Sequence, residues 1–344
     1  MKIAVVFDSP YASWSPEDHE RQMRKEVAAW DQEEPEMEYQ VGNALLELGH
    51  EVRLLGARNE LSGLIQQLEE FHPDLVFNAA ESFRGDAGLD YLFPAFLESG
   101  DWPYTGSGPL GLLVTRNKAM SKKVLAWDGI RVPGFVTFRP GERVALPPDL
   151  GFPLIIKPLQ SDASLGIAQA SVVKDAGALA ERVAFVHERF QQPAIAEEYV
   201  EGRELYVSML GNGESLELLP VTEMIFDKAI PPEERFATRS AKWDESYRER
   251  RGIKNVFARR IAAAARNRLE EVCRRAYRAL WLRDYARMDV RLTPVGEVWF
   301  IEANANPFIS WGHDMANAAE KAGMTYVRFI QRIVDEAMAR HDPA

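Results

Sequence analysis

The alternation of short apolar runs with helical periods over the first hundred residues restricts the fold of this chain more than any other feature. KIAVVF is followed by a helical stripe through Val41, Ala44, Leu45 and Leu48, and then by EVRLLG. A second stripe at Leu61, Leu64, Ile65 and Leu68 leads to the run DLVFNAA. Strand, helix, strand, helix, strand in this order predicts an open parallel α/β sheet. No GxGxxG follows the first run, so nothing there supports dinucleotide binding. Residues 10–38 interrupt the pattern with a polar insertion carrying Tyr11, Trp14 and Trp30. It reads as a solvated helix, or else as a lid or partner surface.

A chain of 344 residues, 46% hydrophobic, can build two or three sub-structures with their own cores. No segment approaches the roughly 18 uncharged apolar residues of a membrane span, and the start has no signal-peptide layout. A cytoplasmic protein without membrane contact is expected. The single cysteine, Cys273, lies in a helical pattern and has neither a disulfide partner nor zinc-ligand neighbours, so it reads as core filler. A formal charge of −11 repels nucleic acid overall, yet allows a local positive pocket for a phosphate-bearing ligand.

After WPYTGS the pattern changes. A helix bearing Lys118, Lys122 and Lys123 precedes RVPGFVTF, and then GFPLIIKPLQSDASLGIAQA runs from an apolar strand ending at Lys157 through a small polar loop into the strand-like IAQASVV. Backbone amides of such a loop approach phosphate oxygens closely, with the lysine adding charge; a surface hairpin with an exposed lysine has the same appearance. AIAEEYVEGRELYVSMLG reads as a strand pair whose acidic residues suit a ribose and an adenine edge, or serve as edge-strand charges for solubility. Residues 227–256 form a long polar stretch of little periodicity, and a helix is expected from about 257 to 281 with Ile261, Ala265, Leu269, Val272, Ala276 and Leu280 on one stripe.

Near the C-terminal end RMDVRLTPVGEVWFIEANANP reads as a β-hairpin, two apolar runs around a Pro-Val-Gly turn. With the turn centred on Val295 and Gly296, Asp289 falls opposite Glu302. Their Cβ atoms are then roughly 5 Å apart on one face, which Asn304 shares. Two carboxylates that close in apolar surroundings call for a positive charge between them, and a hard divalent cation with all-oxygen ligation fits. A wet surface hairpin of shifted register is the competing reading.

Taken in order, PYTGS, the lysine-bearing helix, IIKP, the small-residue loop, EEYVEGRE, the long polar loop, RMDV and EANANP resemble the ATP-grasp superfamily, and within it D-alanine–D-alanine ligases and their relatives. The resemblance runs from about residue 74 to the end. It implies an α/β fold of three parts, with 1–106 an open parallel α/β domain and 107–196 and 197–344 two subdomains that sandwich ATP. It also implies that Lys118 and Lys157 hold ATP phosphates under a loop containing Ser164 and Gly166. Glu197, Glu198 and Val200 would meet the adenine, Tyr199 and Ile301 flank it, and Glu204 hold the ribose. Asp289, Glu302 and Asn304 fall on the family's ligands for two magnesium ions, with manganese an alternative. Arg287 would steady an anionic tetrahedral intermediate, and Lys242 belongs to a mobile closing loop, 227–256.

The implied reaction joins a small-molecule carboxylate to an amine through an acylphosphate, in a protein whose relatives are commonly homodimers. Several departures alter the substrate pocket. NAAESFRGDAG, with Glu81, replaces the family's histidine-glycine and Gly-Glu-Asp-Gly motifs, and ANPFISWGH puts Phe308, Ser310 and His313 where the acceptor's carboxylate is seated. Ala163 stands for a serine and Asn117 for an aspartate, while Glu33, Glu34 and Glu36 compete for the role of the N-terminal glutamate. An amino-acid ligase with altered substrates is therefore expected. The alternatives are an authentic D-alanine–D-alanine ligase, an ATP-binding regulator without turnover, and a phosphotransferase.

Overall fold

The computed structural model describes residues 1–8, 36–57 and 61–341. The insertion at 10–38 lies outside them except for its last three residues, and so do Glu33 and Glu34. Strands β1 Lys2–Asp8, β2 Glu51–Ala57 and β3 Leu75–Asn78 form the expected parallel sheet, in the order β2-β1-β3. Helices α1 Met37–Glu47, α2 Ser62–Phe71 and α3 Leu92–Ser99 accompany it. Strand β1 is apolar from Ile3 to Phe7 because both of its faces are covered there. Ile3, Val5 and Phe7 enter one core, and Ala4 and Val6 another.

Helices α4 Pro109–Arg116 and α5 Lys118–Trp127 lead into a four-stranded antiparallel sheet. Its strands β4 Phe135–Phe138, β5 Leu154–Pro158, β6 Val172–Val173 and β7 Ala194–Glu198 lie in the order β4-β7-β5-β6. Helix α6 Ala176–Phe190 shares a core with this sheet through Leu179, Val183 and Val186.

The third sheet holds β8 Arg203–Leu210, β9 Glu217–Leu218, β10 Thr222–Ile225, β11 Lys254–Phe257, β12 Tyr285–Leu292 and β13 Val298–Asn304. Its order is β11-β10-β8-β12-β13, with β9 beside β8, and every pairing is antiparallel. Short helices α7 Arg239–Trp243 and α8 Glu245–Arg250 precede β11, and α9 Ala263–Ala279 packs Ala265, Leu269, Cys273 and Ala276 onto the sheet's core. The last helices, α10 Asp314–Lys321 and α11 Tyr326–His341, leave this sheet and close the N-terminal core through Met315, Phe329, Ile330 and Ile333. Among the described residues no helix is long and apolar enough to cross a membrane.

Four local expectations need correction. β7 and β8 do not pair with each other; they belong to different sheets. Residues 199–202 carry the chain across, ending at Gly202, where a Cβ would meet the Leu292 carbonyl oxygen at 2.6 Å. The stretch 227–256 contains α7, α8 and most of β11, whose mixed faces leave no clean period. The helix expected from about 257 starts at Ala263, because Lys254–Phe257 pairs with β10 instead. IAQASVV contributes only the two-residue β6.

Candidate active site

The hairpin of β12 and β13 pairs Asp289 with Glu302 and Arg287 with Asn304. The turn is nevertheless not the two-residue one expected. Thr293 and Glu297 close it, with Gly296 at a φ of 82°, a three-residue loop ending in a left-handed glycine. From that turn Val290 pairs with Phe300, and the register then shifts by one residue before Asp289. Ile301 is the inserted residue, a β-bulge. The bulge restores the pairing that a shorter turn would have produced, and it turns both Ile301 and Glu302 toward the cleft.

Asp289 is only 4% exposed. Arg287 Nε donates to its Oδ1 at 2.9 Å, and Lys242 Nζ lies 3.7 Å from Oδ2. Burial nonetheless raises its pKa, with Arg287 and Lys242 opposing and Glu302 adding. Glu302 is the reverse case: burial pushes it up, but Lys118, Lys242, Lys157 and Lys122 outweigh that and hold it below the usual carboxylate range. Asn304 Oδ1 accepts from the Asn306 amide at 3.0 Å, which fixes its carboxamide. Two opposed carboxylates and an oriented amide oxygen form an all-oxygen donor set, and such a set fits a hard divalent cation.

The lysines converge from helix α5 and strand β5. Lys118, almost fully buried at the start of α5, lies 3.8 Å from Glu302 and donates to the Ser161 carbonyl. Lys157 binds Glu197 at 2.8 Å, and Lys122 reaches the other oxygen at 3.0 Å and the Ile301 carbonyl at 2.6 Å. Burial opposes the charge on Glu197, but these two lysines keep its pKa lowered. The Glu197 carboxylate is thus engaged by lysines.

In the loop after Lys157, Ala163 and Ser164 have φ of 53° and 58°, uncommon for residues with a Cβ. Gly166 is more constrained, with φ +75° and a virtual Cβ 2.7 Å from Pro158 and 2.8 Å from the Phe190 ring. At the far wall Arg291 clamps Glu204 at 2.7 Å, and Tyr206 and the Ala237 amide bind Glu204 as well. Tyr199 meets Phe236 edge to face at 5.8 Å.

Segment 227–256 lies over this loop. Trp243 Nε1 donates to the Ala163 carbonyl at 3.1 Å, the Arg239 amide to Ile167 at 3.0 Å, and Gln169 to the Glu234 carbonyl at 3.1 Å. The cleft beneath is about 50 Å³, room for a few waters.

Of the residues singled out from sequence, Lys157, Ser164, Glu197, Glu198, Tyr199 and Val200 line this cleft, as do Glu204, Lys242, Asp289, Ile301 and Glu302. Lys118 and Arg287 reach it through Glu302 and Asp289, and Gly166 shapes the loop from behind. Glu81, Phe308, Ser310 and His313 lie outside it, on the side of the N-terminal sheet. Asn306 ties the two together, donating to the Ala80 carbonyl at 2.8 Å and accepting from Tyr285 at 2.9 Å. Glu81 is exposed at that mouth, yet the protein around it, helped by the charge of Asp90, pushes its carboxyl up to about 7. Phe308 packs edge to face on His313 at 4.6 Å, and Ser310 is buried without a partner for its Oγ among the described residues. Lys122, Arg291, Phe236 and Asn306 were not singled out as site residues. Lys122 alone carried a signal, as a lysine one helical turn beyond Lys118.

A family model described as D-ala D-ala ligase C-terminus matches residues 124–335. Uncharacterized protein y4sG of Sinorhizobium fredii is 32% identical over 306 residues, 87% of this chain and 86% of that protein. D-alanine–D-alanine ligase of Bordetella petrii is 30% identical over 275 residues, 79% of this chain and 78% of the relative. Among solved structures, D-alanine–D-alanine ligase from Bacillus anthracis complexed with ATP superposes with a TM-score of 0.73 at 21% identity, covering 99% of this chain and 98% of that one. VanG D-Ala:D-Ser ligase from Enterococcus faecalis gives 0.66 at 20% identity, covering 98% and 99%.

Proposed function

The chain belongs to the D-alanine–D-alanine ligase family, with an ATP-grasp fold, and is an ATP-dependent carboxylate–amine ligase; from that premise we propose how its residues divide the work and which compounds it joins. Its substrates are an amino acid or amino-acid-like carboxylate and a small amine, and the pair differs from two D-alanines. The observation that carries this reading is Asp289 opposite Glu302, ringed by Arg287, Lys242 and Lys118, beside a phosphate loop under a lid.

In this reading Lys118 and Lys157 neutralise ATP phosphates while the Ser164–Gly166 loop surrounds them. Glu198 and Val200 present the adenine edge, Tyr199 and Ile301 its faces, and Glu204 the ribose. Glu197 serves mainly as the counter-charge that keeps Lys122 and Lys157 in place. Asp289, Glu302 and Asn304 would hold two magnesium ions, which screen the charge that develops on the transferring phosphoryl group. The donor carboxylate oxygen attacks the γ-phosphorus, the bond to the β-phosphate oxygen breaks, and ADP leaves. The amine then attacks the acyl carbon of the acylphosphate and phosphate departs. Arg287 steadies the oxyanion of that second step. An acylphosphate hydrolyses in water, so the lid that carries Lys242 has to shut before transfer.

Three further features belong to the proposal: parts divided at 1–106, 107–196 and 197–344, a homodimer, and substrate contacts from Glu81, Phe308, Ser310 and His313. What supports a pair other than two D-alanines is the ANPFISWGH segment, where Phe308 and His313 pack edge to face at 4.6 Å. The test is release of ADP and phosphate from Mg-ATP with pooled D- and L-amino acids, with mass spectrometry of the product. A D-alanyl-D-alanine mass as the dominant product would overturn the altered-substrate reading, and ADP without phosphate would mark a phosphotransferase.

A further inference from the structure

Arg291 lies directly opposite Glu204 across β12 and β8. The two side chains are 8% and 11% exposed, and a terminal nitrogen of the guanidinium donates to Glu204 Oε2 at 2.7 Å. The other terminal nitrogen donates to the Gly202 carbonyl at 2.9 Å and to the Arg235 carbonyl at 3.2 Å. One planar fork therefore ties together the crossing from β7 to β8, the carboxylate that follows it, and the lid. Arg291 and Glu204 both line the cleft described above.

Glu204 is close to saturated. Its Oε2 accepts from Arg291 and from the Ala237 amide of the lid at 3.1 Å, and its Oε1 accepts from the Tyr206 hydroxyl at 3.0 Å. A carboxylate offers about four acceptor positions. With both positions on Oε2 filled, the one that remains is on Oε1, and two neighbouring ribose hydroxyls cannot both occupy it. Removal of Arg291 would free Oε2, release the carboxylate from its fixed orientation and leave a buried charge without its counter-ion.

We infer that Arg291 is a positioning residue that makes the cleft read a single ribose hydroxyl, by holding Glu204 so that one acceptor position is left for the nucleotide. The inference rests on the ligase reading above, in which Glu204 meets the ribose, and it specifies how that contact is made. Arg291 acts through the carboxylate and needs no bond to the nucleotide itself. Loss of the matching hydroxyl leaves a buried charged acceptor short of a donor, whereas loss of its neighbour on the ribose leaves nothing short.

The experiment is titration calorimetry of the full chain with the magnesium complexes of ATP, 2′-deoxyATP and 3′-deoxyATP, beside thermal melting of each variant. In the parent, one deoxynucleotide is expected to bind about ten-fold or more weakly than ATP, and the other within about two-fold of it. Arg291→Met should close that gap to about two-fold, a change in discrimination that a loss of general stability would not produce. Arg291→Lys keeps a counter-charge for the buried carboxylate but lacks the fork, so it should fold and give an intermediate gap. Equal binding of all three nucleotides by the parent, equal weakening of both deoxynucleotides, or a parent-like gap in either Arg291 variant would overturn the inference. Glu204→Gln separates the two readings: if it closes the gap while the Arg291 variants keep it, the ribose contact stands and the role of Arg291 falls. No binding of Mg-ATP by the parent would overturn both.

Discussion

At the residue scale the hairpin carboxylates are the sharpest test. Asp289→Asn and Glu302→Gln each remove a buried negative charge, so the fold should hold while transfer fails. We expect ADP release to fall by roughly three orders of magnitude, a loss of several kcal/mol in transition-state stabilisation. Turnover kinetics beside thermal melting check this, and near-normal ADP release from either variant would disprove the site. Glu38 is a second, independent case. Buried in α1, and hydrogen-bonded to Glu36, its carboxyl is pushed up to about 8. The folded chain then holds a proton that the unfolded chain has lost, so stability falls as pH rises from near 4.5 to about 8 and levels off above. Glu38→Gln should flatten that slope by a few kcal/mol at most, read from urea midpoints at about pH 5 and about pH 9. Single residues of this kind were legible where chemistry is local. Lysines, carboxylates and a small-residue loop in order pointed to one site, and Lys157, Ser164, Asp289 and Glu302 do line one cleft. Glu197 was only partly legible, because its two lysine partners come from a different helix and strand, and nothing near it in sequence names them.

At the element scale the bulge at Ile301 offsets the longer turn and sets Ile301 at the cleft with its carbonyl on Lys122. Deleting Ile301 should remove the bulge and carry the register of the turn straight on, which keeps Asp289 opposite Glu302 but takes the Ile301 side chain from the cleft and its carbonyl from Lys122. ADP release should fall although the carboxylate pair remains, and a deletion variant with normal activity would show that the bulge is not needed. The pairing of Asp289 with Glu302 was foreseen by placing a two-residue turn, and it holds because a longer turn and a bulge offset each other. A period of two reveals faces but cannot reveal an inserted residue. The lid offers another test. Trp243 is 60% exposed and its Nε1 donates to the Ala163 carbonyl, over a cleft of about 50 Å³. Saturating Mg-ATP should therefore shift tryptophan emission, and Trp243→Phe should abolish most of the change. An unchanged spectrum in the parent would mean that the segment does not move.

At the scale of the whole molecule, the last helix binds the first sheet to the third. Arg340 in α11 pairs with the fully buried Asp284 at 3.0 Å and donates to the Tyr104 carbonyl at 2.7 Å, and Asn212 and the Gly106 amide complete the shell of Asp284. Arg340→Met removes one partner from a buried pair and should cost about 3 kcal/mol, checked by denaturant titration; a loss within error would place the stability of the contact elsewhere. The sequence by itself determined the parallel N-terminal sheet, the order of lysine, loop, acids and hairpin, and the family they spell. Each of these is a matter of period or of neighbours along the chain. The tertiary structure alone decided that β7 and β8 part into two sheets and that α10 and α11 return to the N-terminal core. It also decided that Lys122 reaches Glu197 and that Arg287 stands between Asp289 and Asp314. Such contacts join residues far apart in the chain, and an apolar stripe or a lone charge encodes the need for a partner without encoding which one.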